Sequence, residues 1–591
     1  MRWWVAAGCA SVAAVVGTEA HAQAPRYEVQ ALQESGQCTH FEGTSLDAEG
    51  RVVGFNEGMC GADPTGRVWV VGSPDGGMAL PPLPGAVSGC GHDARDNGTY
   101  ARDVSNGRIT GAAVTYDCDS SFNFRPIVWE NGGTPRLLPL PAGWTEGEGL
   151  AINAVGDVMG RLRAPTERIA LWPSDGPPLV IGPTVAQGRD LNGNRQVVGC
   201  GRVGTGPLAP FVWQNGQTTF LPPSNWNNQV GCANALNEGG LIVGNSDGRP
   251  VYWQGGSLKR LAPANIAGDI VDVNDTGRMI GTLGGRFFYS DGSNVWDLVS
   301  LIDDETSWLP ALRRVIEVNN QGQILAHRDR QPFGEGPFPT LVLLTPKPAG
   351  PVPSVAIVSP WNGEPLSDLV TIKAAASAGA GGLAGVTFYQ DGKAVGPEDT
   401  TQPYSIEVDL TGTGPTSFHA RVRDLAGTFG SSSLRFATVS NTCQSVITAQ
   451  TISGSIGTQT GAFTVRWTAI PRANPMEGGF ALSQGTPGGF SGTAAAVLFA
   501  ADGQILVRNG GAYQATGVSY TKDVSHHLRM AVDVAAGRYS VWLKLANQPE
   551  RQLAANVAFR NAATQLDHWI ARVDESSSPD AQLTICNARV P

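Results

Sequence analysis

Charge is scarce in this chain. Only 16% of its 591 residues are Asp, Glu, Lys or Arg, and the balance is acidic, at a formal net charge of −10. A protein that grips nucleic acid needs a basic stripe to neutralise phosphates, so that class of partner is set aside. A polyanionic ligand stays open, because a local basic patch can oppose the average. Beyond the N-terminus no apolar run is long enough to span a bilayer as a helix. No C-x-x-C pair or Cys/His cluster occurs, which removes the usual zinc spacings. There is also no H-E-x-x-H, no G-x-S-x-G elbow and no phosphate loop in a helical context. Nothing here calls for a metal or an organic cofactor, and whether the chain is an enzyme stays open.

What is abundant is turn chemistry. Gly (76) and Pro (40) punctuate short branched apolar runs, a composition suited to many strands and few helices. One stretch, LNEGGLIVG (236–244), keeps returning over the first 350 residues. Its other forms are LDAEGRVVG (46–54), VSNGRITG (104–111), INAVGDVMG (152–160), LNGNRQVVG (191–199), VNDTGRMIG (273–281) and VNNQGQILA (318–326). Asn or Asp bonds its own backbone and Gly accepts positive φ, so the first half reads as a tight turn. The apolar run after it reads as a short buried strand. Asn153, Asn192, Asn237, Asn274 and Asn319 are therefore expected to be turn residues, not a ligand ring.

Most copies are followed by a second signal, such as APFVWQNGQTTFLPP at 209–223 or RPVYWQGGSLKRLAP at 249–263. Each unit then offers three or four short strands and cannot cover both faces of its sheet alone. Radial packing of such sheets solves that problem and predicts a β-propeller of about seven blades. RYEVQAL (26–32) belongs to no repeat and is expected to complete the last blade. The alternation of (I/L/V)N-x-x-G-x-(V/I)-(V/I)-G with (F/V)-x-W-x-x-G over roughly 40–345 resembles the extracellular HAF repeat family. That resemblance implies export and a propeller, and brings no settled chemistry.

The N-terminus reads as a signal peptide. Arg2, an apolar stretch over 3–16 and the A-x-A site Ala20-His21-Ala22 predict cleavage after Ala22 and secretion. Eight cysteines remain after Cys9 is removed, an even number that suits disulfides in an oxidising space. Cys443 with Cys586 is the first expected pair and Cys200 with Cys232 the second. Cys38, Cys60, Cys90 and Cys118 are left unassigned.

The domain plan follows: signal peptide 1–22, repeat propeller 23–346, then an Ig-like β-sandwich at 347–440 and a jelly-roll β-sandwich at 441–591. The hinge TPKPAGPVPS (345–354) reads as a stiff, extended linker. FYQDGKAVG, PYSIEVDL and HARVRDLAG resemble bacterial Ig-like modules. The run 499–559 resembles concanavalin/laminin-G-type domains, which implies carbohydrate contact without naming a ligand residue.

The leading functional expectation is a monomer that binds extracellular or cell-surface glycans. Trp144, Trp226 and Trp308 lie in comparable inter-repeat segments and offer flat faces for sugars; the competing reading is that each covers an inter-blade joint. A second reading is a polysaccharide-degrading lyase or hydrolase at the propeller mouth. His40, His92 and Tyr100 would then serve as acid and base, with Arg95 neutralising a uronic carboxylate. A third is adhesion or scaffolding. His526, His527 and His568 raise a metal reading, but adjacent strand residues face opposite ways and chelate poorly.

Overall fold

Six of the seven copies fold as a hairpin whose turn is held by its own Asn or, in the first copy, by Asp47. In the fifth copy Asn237 Oδ1 accepts the Leu241 N–H at 2.9 Å, while Gly240 supplies the positive φ of +76° that closes the turn. The small residue ending the motif has a separate cause. The inner strand bulges opposite it, between Ala233 and Ala235, and a Cβ at Gly244 would stand 2.1 Å from the Cys232 carbonyl oxygen. The same clash meets Gly54, Gly111, Gly160, Gly199 and Gly281. A bulge of this kind re-aims the side chains beside it.

The computed structural model describes residues 24–590 apart from 35–38, 59–63, 71–76, 85–97, 117–121, 203, 226–229, 264, 304–311, 330–338 and 349. Residues 1–22, expected to be a signal peptide, and Cys38, Cys60, Cys90 and Cys118 lie outside these residues. The fold is all-β; its helical content among the described residues is two short 3-10 turns, Leu298–Leu301 and Phe490–Gly492.

Within 27–346 the described residues form seven four-stranded antiparallel sheets in a propeller-like arrangement. In chain order they span 39–79, 98–137, 147–181, 185–220, 231–260, 268–297 and 312–346. The seventh takes its outer strand from the N-terminus: Tyr27–Glu34 pairs with Pro339–Pro346. Each sheet packs on the next and the seventh returns to the first. Every joint has its own apolar cluster, from Val53, Ala101 and Ile127 between the first two sheets to Phe41, Trp69 and Leu343 at the closure. Indoles stitch the joints as well: Trp129, Trp172 and Trp253 donate to the carbonyls of Pro81, Pro139 and Pro222 in the preceding exits. That bond explains why the aromatic run and the Leu/Pro exit travel together in the sequence.

Residues 354–439 form a three-stranded sheet facing a larger one, with Val355, Ile372, Phe388, Phe418 and Val422 between them. Residues 443–589 form two six-stranded sheets. Trp467, Phe480 and Trp569 stack through their core, with ring centroids 4.1 and 5.6 Å apart. Two cystines are present among the described residues, Cys200–Cys232 and Cys443–Cys586.

The Pro-rich hinge does not hold the modules apart. Leu434 and Phe436 of the Ig-like sandwich are buried against Phe288 and Val295 of the sixth sheet, and the Leu434 N–H bonds the Val295 carbonyl at 2.7 Å. Arg286 bridges Asp297 and Ser417 across the same contact. The last sandwich docks in turn: Asn587 bonds Asp368 and Asn441, and Asn547 bonds Glu407. Burying those two apolar side chains favours contact over an extended linker.

Candidate functional site

The innermost strand of every sheet ends in the repeated turn, whose key residue is Asn from the third sheet to the seventh and Asp47 in the first, and these turns gather at one end of the ring. Each turn Asn has a second bond there. Its Nδ2 donates to the backbone carbonyl of the equivalent residue one sheet on: Asn153 to Asn192, Asn192 to Asn237, Asn237 to Asn274, Asn274 to Asn319, and Asn319 to Asp47. The Asn residues are turn formers, as expected, and also clasps between sheets.

Two residues before the turn position stands a second ring. Asp103, Asp190 and Asp272 occupy it in the second, fourth and sixth sheets, and Glu317 in the seventh; each accepts a backbone N–H from the next sheet. The donors are Ile152 at 2.6 Å, Leu236 at 2.9 Å, Val318 at 2.7 Å and Leu46 at 2.7 Å. The four carboxyls line an axial well of about 380 Å³. Burial pushes Asp190 up to about 7 and Asp272 to about 6, with neighbouring carboxyls adding to the rise. Glu317 is raised well above the usual range by the same causes. The well therefore holds protons near neutral pH.

The other end of the inner strands differs. In the third sheet Glu148, on the strand Gly147–Ile152, lies five residues before Asn153, about 16 Å away at the rise of an extended chain. Glu148 sits there fully buried, and three arginines converge on it. Arg161 donates through Nε at 2.9 Å and through Nη2, Arg163 through Nη2 at 2.7 Å, and Arg102 reaches it at 3.5 Å. Burial alone would raise the Glu148 carboxyl; the guanidinium charges outweigh it and hold the group below its ordinary value. Arg102 is the bulged residue of the second sheet, between Ala101 and Asp103, and lies over the rings of Phe55 and Tyr100 at 5.0 and 5.2 Å. Arg163 lies over Phe124 at 3.7 Å. Together with Arg168 and Arg189, Arg102, Glu148 and Arg161 wall a cleft of about 250 Å³.

Two of the residues singled out from sequence come to this end of the ring. Tyr100 packs edge-on against Phe55 at 4.8 Å and beneath Arg102. Trp144 packs its ring on the joint between the second and third sheets, and its Nε1 donates to the Thr166 carbonyl at 3.1 Å, next to Glu167 of the cleft wall. It is half-buried and covers a joint. His40 lies on the strand Thr39–Leu46, its side chain outside the described set; His92, Arg95, Trp226 and Trp308 lie outside the described residues. His526 is buried in the last sandwich, where desolvation takes it down to about 4. His527 on the opposite face bonds Thr468 at 2.9 Å, and His568 bonds Asp567 at 2.8 Å. No helix among the described residues is long and apolar enough to cross a membrane.

Neither the carboxyl ring nor the arginine cluster was singled out from sequence. The first had a signal, an acid at a fixed offset before the turn residue. The second had almost none, because its arginines come from three different sheets.

Residues 353–422 match the family model of a bacterial Ig domain. A search of curated proteins found no match. Among solved structures, the chain is similar to the Trypanosoma rangeli sialidase in complex with sialic acid, at 11% identity over 96% of this chain and 97% of that one, with a TM-score of 0.31. It is also similar to the fibronectin(III)-like modules of Clostridium thermocellum CbhA, at 24% identity, 14% of this chain, 93% of that one and a TM-score of 0.14. A third is arcelin-5, a lectin-like defence protein of Phaseolus vulgaris, at 10% identity, 41% of this chain, 100% of that one and a TM-score of 0.18. At these levels the likenesses give no residue a role.

Proposed function

We propose that this is an exported protein of three parts that binds extracellular or cell-surface glycans: a seven-bladed HAF-type propeller (23–346), an Ig-like module (347–440) and a concanavalin-like jelly roll (441–591). The observation that carries the reading is the cleft at the arginine end of the ring. Its walls set arginines and glutamates beside the apolar Leu150, Ile169 and Ala186, and Trp144 stands near it with part of its indole open. Sugar recognition asks for that combination, directional polar groups next to a flat apolar face. The seven joint clusters and the Asn clasp running from Asn153 round to Asp47 support a rigid ring as the platform. The two cystines support an oxidising destination.

A glycan array, scored for retained ligand and for newly formed chain ends, tests the proposal. Binding without new ends is expected, and Trp144→Ala is expected to weaken it several-fold, about 1 kcal/mol for one aromatic face. Trp226→Ala and Trp308→Ala are measured alongside. No retention of any glycan, or retention indifferent to all three substitutions, overturns the proposal. New chain ends would turn it into the degrading enzyme.

A further inference from the structure

We propose that the arginine cluster around Glu148 is a binding site for the anionic group, carboxylate or sulfate, of an acidic sugar residue. The inference rests on the glycan reading for the sugar and on the cluster itself for the anion.

The argument is one of surplus. A buried carboxylate needs a cation, and Arg161 alone gives Glu148 two hydrogen bonds. Arg163 and Arg102 add two more guanidinium groups, and Arg168 and Arg189 stand in the wall of the same cleft. Five arginines therefore stand against three acids, Glu148, the rim residue Glu167 and Asp269 near Arg189, in a chain whose net charge is −10. A chain this acidic has no general reason to concentrate its cations at one place. Their donors are also incompletely used. The Nε atoms of Arg102, Arg163 and Arg168 are buried without a hydrogen-bond partner, and Arg168 has no side-chain partner among the described residues.

The cluster is built to stay put. Glu148 is fully buried and pins three of the guanidinium groups, while aromatic faces support two of them, Arg102 on Phe55 and Tyr100 and Arg163 on Phe124. Such pre-positioning lowers the ordering cost of binding. The side chains of Arg102, Arg161 and Arg163 keep 27%, 37% and 30% of their surface open, so a ligand can reach them. Guanidinium forks favour planar oxyanions, which they bind in pairs of parallel hydrogen bonds. The cleft, about 250 Å³, falls short of the usual span of drug-sized pockets and suits one sugar ring.

The test is calorimetric titration of the full chain with a short oligogalacturonate, a sulfated chondroitin oligosaccharide and a neutral cello-oligosaccharide of equal length. Arg168→Glu and Arg189→Glu reverse charge in the cleft wall without removing a partner of Glu148. Arg538→Glu makes the same charge change in the last sandwich. The expected result is that at least one acidic probe binds, that Arg168→Glu weakens it by about tenfold or more, and that Arg538→Glu does not. The acidic probe that responds identifies the anion. Arg168→Lys should recover only part of the affinity, because the fork is lost while the charge is kept. Acidic probes that bind the Arg168→Glu and Arg189→Glu proteins as tightly as the wild type overturn the site. So does an equal loss in Arg538→Glu, which marks a net-charge effect. Binding of the neutral probe alone overturns the anion site and leaves the glycan reading standing; no binding of any probe overturns both.

Discussion

Replacing Asp190 by Asn removes one carboxyl from the axial well while keeping its shape and an oxygen for the Leu236 N–H. In the folded protein burial lifts this group from 3.8 to about 7, and Asp272 and Asp103 add to the rise. A carboxyl raised on folding favours the protonated fold. The stability it confers is complete below the unfolded value near 4 and is lost as pH climbs to about 7. Each tenfold change in proton affinity is worth about 1.4 kcal/mol, so the ceiling is about 4 kcal/mol. The well admits water, which screens the carboxyls from one another, and about 2–3 kcal/mol is the better expectation. Asp190→Asn should therefore be the more stable protein at pH 8 by that amount and nearly equal to wild type at pH 4. Hydrogen exchange read on the strands Val185–Leu191 and Gly231–Leu236, together with thermal unfolding, follows the difference at both pH values. A variant that loses the same stability at pH 4 and pH 8 would show that Asp190 acts only as an acceptor and would refute the charge argument.

Three further outcomes follow from the geometry. Asn237→Ala removes the turn bond to Leu241 and the clasp to Asn274, and should cost about 2–3 kcal/mol, seen as faster exchange on both sides of that joint. Gly244→Ala would place a Cβ 2.1 Å from the Cys232 carbonyl and should destabilise the fifth sheet by about 3 kcal/mol or more, whereas Ala326→Gly should cost at most about 1 kcal/mol, both read by thermal unfolding. Breaking Cys443–Cys586 by a double Cys→Ser change opens a loop of 143 residues and should cost about 5 kcal/mol in the chain-entropy model, lowering the melting temperature of the last sandwich alone.

The repeated stretch was readable because each of its residues answers a local demand. Asn237 and Gly240 serve the turn, and Gly244 serves the bulge opposite. Local demands leave periodic marks, and the closing role of RYEVQAL followed from an unfilled edge in the last unit. Long-range partnerships leave no such mark. Glu148 finds Arg102 forty-six residues upstream because the second and third sheets pack side by side, and no pattern near either residue announces the pair. The docking of the Ig-like sandwich was missed for a related reason. A Pro-rich hinge reads as a spacer, while Leu434 and Phe436, which decide the matter, lie about 80 residues further on among ordinary strand residues.

On the proposed glycan reading, with the ring and the last sandwich both engaging sugar, that docking has a consequence for how the two would act together. Modules on a slack tether sample many separations, so a second contact strengthens attachment to almost any ligand that is long enough. Here the ring, the Ig-like sandwich and the last sandwich are fastened through Leu434, Arg286, Asp368 and Asn547, so the separation between ring and last sandwich is set by the protein. Such an arrangement is a ruler. On that reading it would reward a polymer whose recognisable units recur at the matching distance and give no advantage with one whose spacing is wrong, however rich in those units it is.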